Sequence, residues 1–172
     1  TLAYTYTRKA PLYTKPASNV VIQMCAIETA RQGINFPIAT SNIHATFRKD
    51  LVDWGKICNE ILVWDYVIQF QNLVSPFPNF STMQDNINFY IANNVSAVFC
   101  QGNREKGGEF AELRGYLLAK LLWNPQCDMK QEMDDFLAGY YGKAGVYIKR
   151  YIADMEQALK KSKALLSMDG AT

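Results

Sequence analysis

The stretch that decides the fold is Leu62-Val63-Trp64-Asp65-Tyr66, an apolar run that ends in a carboxylate between two aromatic side chains. Near-continuous apolar runs of this kind are typical of strands buried in a parallel sheet. In barrel enzymes the carboxyl end of such a strand opens into the active site, so Asp65 is a candidate catalytic residue. Alternation along a strand places Trp64 and Tyr66 on the face opposite Asp65. Of these two, Tyr66 is the better candidate for contact with a substrate and Trp64 for the core.

Three other runs also read as strands that stop at a polar residue. Their expected ranges are 2–7, 19–27 and 95–100, and they run into Arg8, Glu28 and Gln101. Acids, amides and aromatic rings at several strand ends favour a carbohydrate site over a nucleotide site, because amides and carboxylates hydrogen-bond to hydroxyl groups.

The candidate site residues follow from these strand ends. Asp65 and Glu28 are the candidate catalytic carboxylates, and Tyr66, Gln101, Tyr6, Arg8 and Glu109 are the candidate substrate contacts. Arg8 would suit a uronic acid, since a guanidinium binds a carboxylate through two hydrogen bonds. The alternative for Glu109 is a place at a helix start, where an acid favours the helix dipole. The loop 101–108, which includes Glu105, is interpreted as a flexible rim of the site.

Helical periodicity predicts five helices, with expected ranges 43–59, 82–93, 109–123, 129–140 and 144–166. Ser81-Thr82-Met83-Gln84 fits a capping box, and Asp128 can cap the fourth of these helices. The segment 29–42 reads as a loop beside the site. The link 10–18 is too short for a crossover helix, so either a helix is lost there or the first two strands pair differently from the rest.

Alternating strands and helices are the signature of a parallel sheet with helical crossovers. Four strands are half of an eight-stranded barrel, and alone they would leave sheet edges uncovered. We therefore expect an α/β fold that is the carboxyl-terminal half of a (β/α)8 TIM-like barrel, with an open α/β sheet as the alternative. The 172 residues would form one domain, with the half barrel over about 1–125 and C-terminal helices over about 128–168.

Composition excludes several functional classes. The net charge of +2 gives no electrostatic footprint for nucleic acid, and no apolar run reaches the ~18 residues of a membrane helix. The four cysteines are far apart and His44 is the single histidine, so we expect no metal and no cofactor. Because the chain begins at Thr1 and not at Met, we expect it to be a processed or truncated piece.

Six motifs, taken in order, carry a family resemblance. They are Trp64-Asp65-Tyr66, Pro76-Phe77-Pro78-Asn79, Val98-Phe99-Cys100-Gln101-Gly102, Glu109-Phe110-Ala111-Glu112-Leu113-Arg114, Leu118-Ala119-Lys120-Leu121-Leu122-Trp123-Asn124-Pro125 and Tyr140-Tyr141-Gly142. Together they resemble the family catalogued as domain of unknown function 4838, from about Leu2 to Tyr151. That family is similar to barrel glycoside hydrolases, notably α-glucuronidases and β-hexosaminidases.

The resemblance implies a bacterial protein that is secreted, periplasmic or on the cell surface, and longer on its amino-terminal side. It places sugar-facing residues in the loops after strands, and it supplies no assigned catalytic pair. The first hypothesis is a glycoside hydrolase-like domain that acts on polysaccharide or oligosaccharide and is inactive alone. Its partner would be the missing amino-terminal half barrel, or a partner chain that covers the apolar edges. The alternatives are a non-catalytic carbohydrate-binding barrel and a structural or assembly piece.

Overall fold

The computed structural model describes residues 1–102 and 107–170. Its strands are β1 (Leu2–Ala3), β2 (Ile22–Cys25), β3 (Ile61–Tyr66) and β4 (Val95–Gln101). Its α-helices are α1 (Ile27–Arg31), α2 (Ala45–Gly55), α3 (Phe80–Ile91), α4 (Ala111–Trp123), α5 (Met129–Tyr141) and α6 (Gly145–Ser162). Short 3-10 turns lie at Thr5–Thr7, Asn42–His44 and Gly142–Ala144.

The four strands form one parallel sheet in the order β1-β2-β3-β4. The predicted α/β class with four parallel strands is therefore confirmed. β1 and β2 pair in parallel like the others, although their connection holds only the 3-10 turn Thr5–Thr7. Of the two alternatives for this link, the structure shows the one in which the crossover helix is missing.

The two faces of the sheet have different surroundings. On one face, Ile22, Met24, Ile61 and Val63 are buried in the main core with apolar residues of α2 to α6. A fully buried large apolar side chain contributes roughly 1.5–3 kcal/mol, so this helix side holds the domain together. We call the other surface the open face. Its members in β2 to β4 alternate with these four residues along the strands: Gln23, Cys25, Leu62, Trp64, Tyr66, Ala97, Phe99 and Gln101.

Exposure confirms that the open face is only partly covered. Ala97 is exposed, Phe99 is 49% exposed, and Leu62 and Trp64 are half-buried. Near the carboxyl end of β3, a second, smaller apolar cluster covers Tyr66 with Ile27, Ile34, Phe77 and Met168. The described part of the chain therefore leaves much of one sheet face without a helix layer.

The chain after α6 returns to this end of the sheet. α6 ends at Ser162, four residues before the predicted end of the helix at 166. Lys163, with φ 57°, turns the backbone there. The amides of Ile34 and Phe70 then donate to the carbonyls of Leu166 and Met168, and the amide of Met168 donates to Ala30. We call residues 164–170 the C-terminal strap.

The predicted capping box is wrong. α3 begins at Phe80, two residues before the predicted start, and no side chain caps its first turn. The Thr82 hydroxyl donates to the carbonyl oxygens of Ile34 and Asn79, and the Gln84 amide donates to those of Pro125 and Cys127. The side chain of Gln84, which would have closed the box, is thus bound to distant carbonyls instead. By contrast, Asp128 caps α5 as predicted, because its carboxylate accepts from the amides of Lys130 and Gln131.

Residues 1–102 and 107–170 contain neither a membrane-spanning helix nor a cluster of metal ligands. No helix there is long and apolar enough to cross a membrane. In the same residues, no group of three or more His, Cys, Asp or Glu side chains is arranged to hold a metal ion.

Candidate functional site

Three aromatic rings and one amide meet on the open face at the carboxyl ends of β3 and β4. The rings of Trp64 and Tyr66 are stacked with centroids 6.0 Å apart, and Phe99 meets Trp64 edge to face at 5.4 Å. The Trp64 indole N–H donates to Gln101 Oε1 at 2.8 Å. We call these four residues the ring platform.

Strand alternation and register build the platform. Trp64 pairs with Phe99 and Tyr66 with Gln101 across β3 and β4, and paired residues in a parallel sheet share a face. Sequence analysis placed Tyr66 and Gln101 in the site but left Phe99 out. Phe99 lies two residues before Gln101, so the period of two was the signal that would have found it.

Tyr66 is the most enclosed ring of the platform. Burial raises the pKa of its phenol to about 12, with smaller contributions from Cys25, Tyr4 and Glu28 and an opposing one from Arg31. The hydroxyl group therefore stays protonated at neutral pH. The charge of Glu28 makes the smallest of these contributions.

Arg8 joins two carboxylates at the carboxyl ends of β1 and β2. Its Nε donates to Asp50 Oδ2 at 2.8 Å, and its Nη1 lies 2.8 Å from Glu28 Oε2. Burial alone lowers the pKa of Arg8, but hydrogen bonds and charges from Asp50 and Glu28 together raise it. Arg8 is thus a fixed cation between two anions. Asp50, which sequence analysis missed, is a charged residue among buried apolar residues of α2.

A cavity of about 180 Å³ lies beside this ion-pair cluster. We call it the Arg8 cavity; its lining residues are Arg8, Glu28, Thr29, Gln32, Ile43, His44, Thr46 and Phe47. It lies between α1 and the start of α2. Polar side chains from three parts of the chain therefore converge on one concave surface.

Asp65 lies on the helix side of β3, away from the ring platform. Its Oδ1 accepts from the Tyr66 amide at 2.9 Å, and its Oδ2 accepts from the Tyr90 hydroxyl of α3 at 3.2 Å. Burial raises the pKa of Asp65 to about 6, and the two hydrogen bonds oppose that rise. The structure therefore does not direct Asp65 and Glu28 toward one another: one carboxylate contacts α3 and the other pairs with Arg8.

Glu109 belongs to a buried network that links the β3–α3 loop to α4. Its Oε2 accepts from Arg114 at 2.7 Å, and Arg114 also donates to the carbonyls of Phe77 and Glu109. The Arg114 guanidinium lies 4.9 Å from the centroid of the Phe80 ring. Losing one member of such a pair leaves a buried charge without a partner, at a cost of about 3–5 kcal/mol. Glu109 is therefore the ion-pair partner of Arg114, and its role as a substrate contact stays a prediction.

Tyr6 and the loop after β4 complete the predicted set. Tyr6 is 94% exposed in the turn Thr5–Thr7, where Thr5 has φ 47°. A positive φ is strained for a β-branched residue, so this turn is held by its surroundings. Residues 103–106 of the predicted rim loop, including Glu105, lie outside the described residues.

One comparison with known proteins found a match. The sequence of residues 1–153 matches the family described as "Domain of unknown function (DUF4838)", which covers most of the chain. No curated protein and no solved structure matches the chain.

Proposed function

The chain belongs to the DUF4838 family, and from this membership and the site we propose that it is half of a glycoside hydrolase-like barrel that binds carbohydrate. The observation that carries the proposal is the open face. Its carboxyl end presents the exposed Phe99 ring and the half-buried Trp64 ring beside the Gln101 amide, while helices bury the opposite face.

The strand order supports a half barrel. The four strands are parallel and adjacent in chain order, and α2, α3 and α4 pack on the same side of the sheet. In a (β/α)8 barrel the helices form the outer layer and the other face lines the interior. The open face would then be the interior surface, and a further half barrel, in a longer polypeptide or a partner chain, would close it.

The ring platform has the chemistry that a sugar requires. The exposed Phe99 ring offers an apolar surface for the C–H face of a pyranose. Because Gln101 Oε1 already accepts from Trp64, the Gln101 NH₂ group is directed to donate to a hydroxyl. Glu28 and the Tyr66 hydroxyl supply acceptors at the same end of the sheet.

Hydrolysis needs a second carboxyl group that faces the first across about 5–10 Å. Glu28 pairs with Arg8 just after the carboxyl end of β2, and Asp65 contacts Tyr90 of α3 behind the sheet. A catalytic role for Asp65 stays a prediction: a pKa of about 6 suits a general acid, but the side chain would have to leave Tyr90. We therefore propose that a carboxyl group from outside this chain completes the site. Asp65-dependent cleavage of any glycoside by the isolated chain would contradict this.

The second candidate is a barrel that binds carbohydrate without cleaving it. The ion pairs that hold Glu28 and Asp50 on Arg8 favour it, because a carboxylate fixed by a guanidinium is a poor proton carrier. Glu28→Gln separates the two candidates in the closed barrel: turnover would be lost in a hydrolase, and binding would survive in a binding module. For either candidate we propose a bacterial protein that is secreted, periplasmic or surface-exposed, where polysaccharides are found.

A glycan array with the isolated chain, followed by calorimetry on the best ligand, tests the proposal. Phe99→Ala and Gln101→Ala should weaken binding about tenfold, because stacking or a hydrogen bond is lost. Trp123→Ala is the matched control, since Trp123 is an aromatic residue that is 91% exposed at the end of α4. The proposal would be overturned if Phe99→Ala and Gln101→Ala left the affinity unchanged, or if no glycan bound at all. Either result would favour a structural or assembly role.

A further inference from the structure

We propose that the Arg8 cavity accepts a neutral or amine-bearing sugar unit and rejects a uronic acid. This inference rests on the proposed function, and it names the substrate class of the same site. It reverses the expectation that Arg8 reads a uronate carboxylate.

The ion pairs around Arg8 are negatively charged overall. The guanidinium contributes one positive charge, and Glu28 and Asp50, each 2.8 Å away, contribute two negative charges. The cluster therefore carries one net negative charge. The Arg8 side chain is only 12% exposed and Asp50 is buried, so water screens this pair weakly, whereas the Glu28 side chain is 30% exposed. A uronate entering the cavity would meet repulsion from this cluster, and two resident carboxylates already occupy the Nε and Nη1 donors that it would need. Arg48, whose charge also acts on His44, is held by the carbonyls of Ile38 and Ser41.

His44, which lines the cavity, carries a ring nitrogen without a partner among the described residues. This residue is only 2% exposed, and its Nε2 lies 3.0 Å from the carbonyl oxygen of Gly33. Burial lowers the pKa of His44, as does the charge of Arg48 to a smaller extent, while hydrogen bonds to the backbone of Gly33 and Phe36 oppose this shift. The lowered pKa favours the neutral ring, and a proton on Nε2 would be accepted by the Gly33 carbonyl. Within residues 1–102 and 107–170, Nδ1 has no hydrogen-bond partner. It is a buried acceptor on a residue that lines the cavity, and it needs a donor.

Together these groups select donors. Nδ1 of His44 and the carboxylate of Glu28 accept hydrogen bonds, and the net charge favours a ligand that is neutral or positive. Hydroxyl groups and an ammonium group fit, whereas a carboxylate supplies neither a donor nor the right charge. Glu28 follows β2 and the ring platform lies at the ends of β3 and β4, all at the carboxyl edge of one parallel sheet, so we expect a sugar chain on the platform to place one unit at this cavity.

The experiment compares three matched ligands by calorimetry on the same chain: a glucose, a glucosamine and a glucuronic acid unit on the oligosaccharide that the array identifies. We expect the acidic ligand to bind at least about tenfold more weakly than the neutral one, because its carboxylate is repelled at short range by the net negative charge of the cluster. We expect glucosamine to bind at least as well as glucose.

Two variants and one control assign the discrimination to the cavity. Glu28→Gln removes one negative charge. It should reduce the ratio of the dissociation constants of the acidic and neutral ligands about tenfold. Gln32→Glu adds a negative charge at the exposed rim of the cavity and should increase this ratio of dissociation constants. Asp53→Asn, on α2, makes the same charge change as Glu28→Gln. Because Asp53 pairs with Lys49 and Lys56 outside the cavity, the ratio of dissociation constants should stay unchanged.

The outcomes separate the two proposals. If no sugar binds, the proposed function fails and this inference fails with it. If sugars bind through Phe99 and Gln101 but glucuronic acid binds as tightly as glucose, only this inference fails. It also fails if Glu28→Gln and Asp53→Asn change the ligand preference equally.

Discussion

At the scale of single residues, Asp65 is a carboxylate held almost out of water behind the sheet. Its two hydrogen bonds, from the Tyr66 amide and the Tyr90 hydroxyl, do not offset the burial, and its pKa rises to about 6. A raised pKa means that the folded protein prefers the protonated acid. The contribution of Asp65 to stability is therefore present at pH values below about 4, the ordinary pKa of Asp, and is lost as the pH rises through about 6.

Asp65→Asn tests this reading of the buried acid. The difference between a pKa of about 6 and the ordinary value corresponds to roughly 3 kcal/mol. We expect the variant to unfold at higher urea concentration than the parent at pH 8, by up to about that free energy, and to match it near pH 3.5. Asp85→Asn, which changes an exposed carboxylate of α3, should show neither effect. A less stable Asp65→Asn protein at pH 8 would mean that the ionised acid is stabilising.

At the scale of elements, the C-terminal strap holds the carboxyl end of the sheet without forming a helix or strand. It contributes buried Met168 to the second apolar cluster, three backbone hydrogen bonds, and an ion pair between Asp169 and Arg31. Neither periodicity nor capping in the sequence indicates this return, because the contacts that make it involve residues more than 90 positions away.

Removing residues 164–172 should loosen this end of the sheet and leave the sheet itself paired. Hydrogen exchange should accelerate at the amides of Ile34 and Phe70, whose acceptors are the carbonyls of Leu166 and Met168. The amide of Val67, which donates to Gln101, is the internal control and should keep its protection. The single change Met168→Ala should lower the free energy of unfolding by about 2–5 kcal/mol. Unchanged exchange at Ile34 and Phe70 after the truncation would show that the strap does not dock in solution.

At the scale of the whole molecule, one face of the sheet carries the helix layer and the other carries exposed apolar side chains. Leu2 is 50% exposed and Phe99 is 49% exposed at opposite edges of the sheet. Parallel sheets are almost always covered on both faces, so this arrangement predicts a surface that binds an apolar partner.

The dye 8-anilinonaphthalene-1-sulfonate should therefore fluoresce with the folded chain. Phe99→Lys should reduce the signal at least about twofold by placing a charge on the open face, while Trp123→Lys should leave most of it because Trp123 lies at the end of α4. Equal loss in both variants would indicate dye binding to scattered aromatic residues and would argue against one uncovered face.

Much of the fold follows from local patterns that the sequence displays directly. The run Leu62–Tyr66 predicts β3 and the opposite orientation of Asp65 and Trp64, because a strand alternates its side chains whatever surrounds it. Helical spacing likewise predicts α2 to α5 to within a few residues, and Asp128 caps α5 through amides only two and three residues away. The six ordered motifs likewise predicted the family, which the match over residues 1–153 confirms.

The sequence by itself determined the order of strands and helices, the faces of β3 and the family, because each depends on residues close together along the chain. Only the tertiary structure decided that Arg8 joins Glu28 to Asp50, that Asp65 turns to Tyr90, and that the strap covers Tyr66. A charged side chain has many possible partners along 172 residues. Packing selects among them, because a buried charge is stable only beside the partner that the folded backbone brings within hydrogen-bond distance.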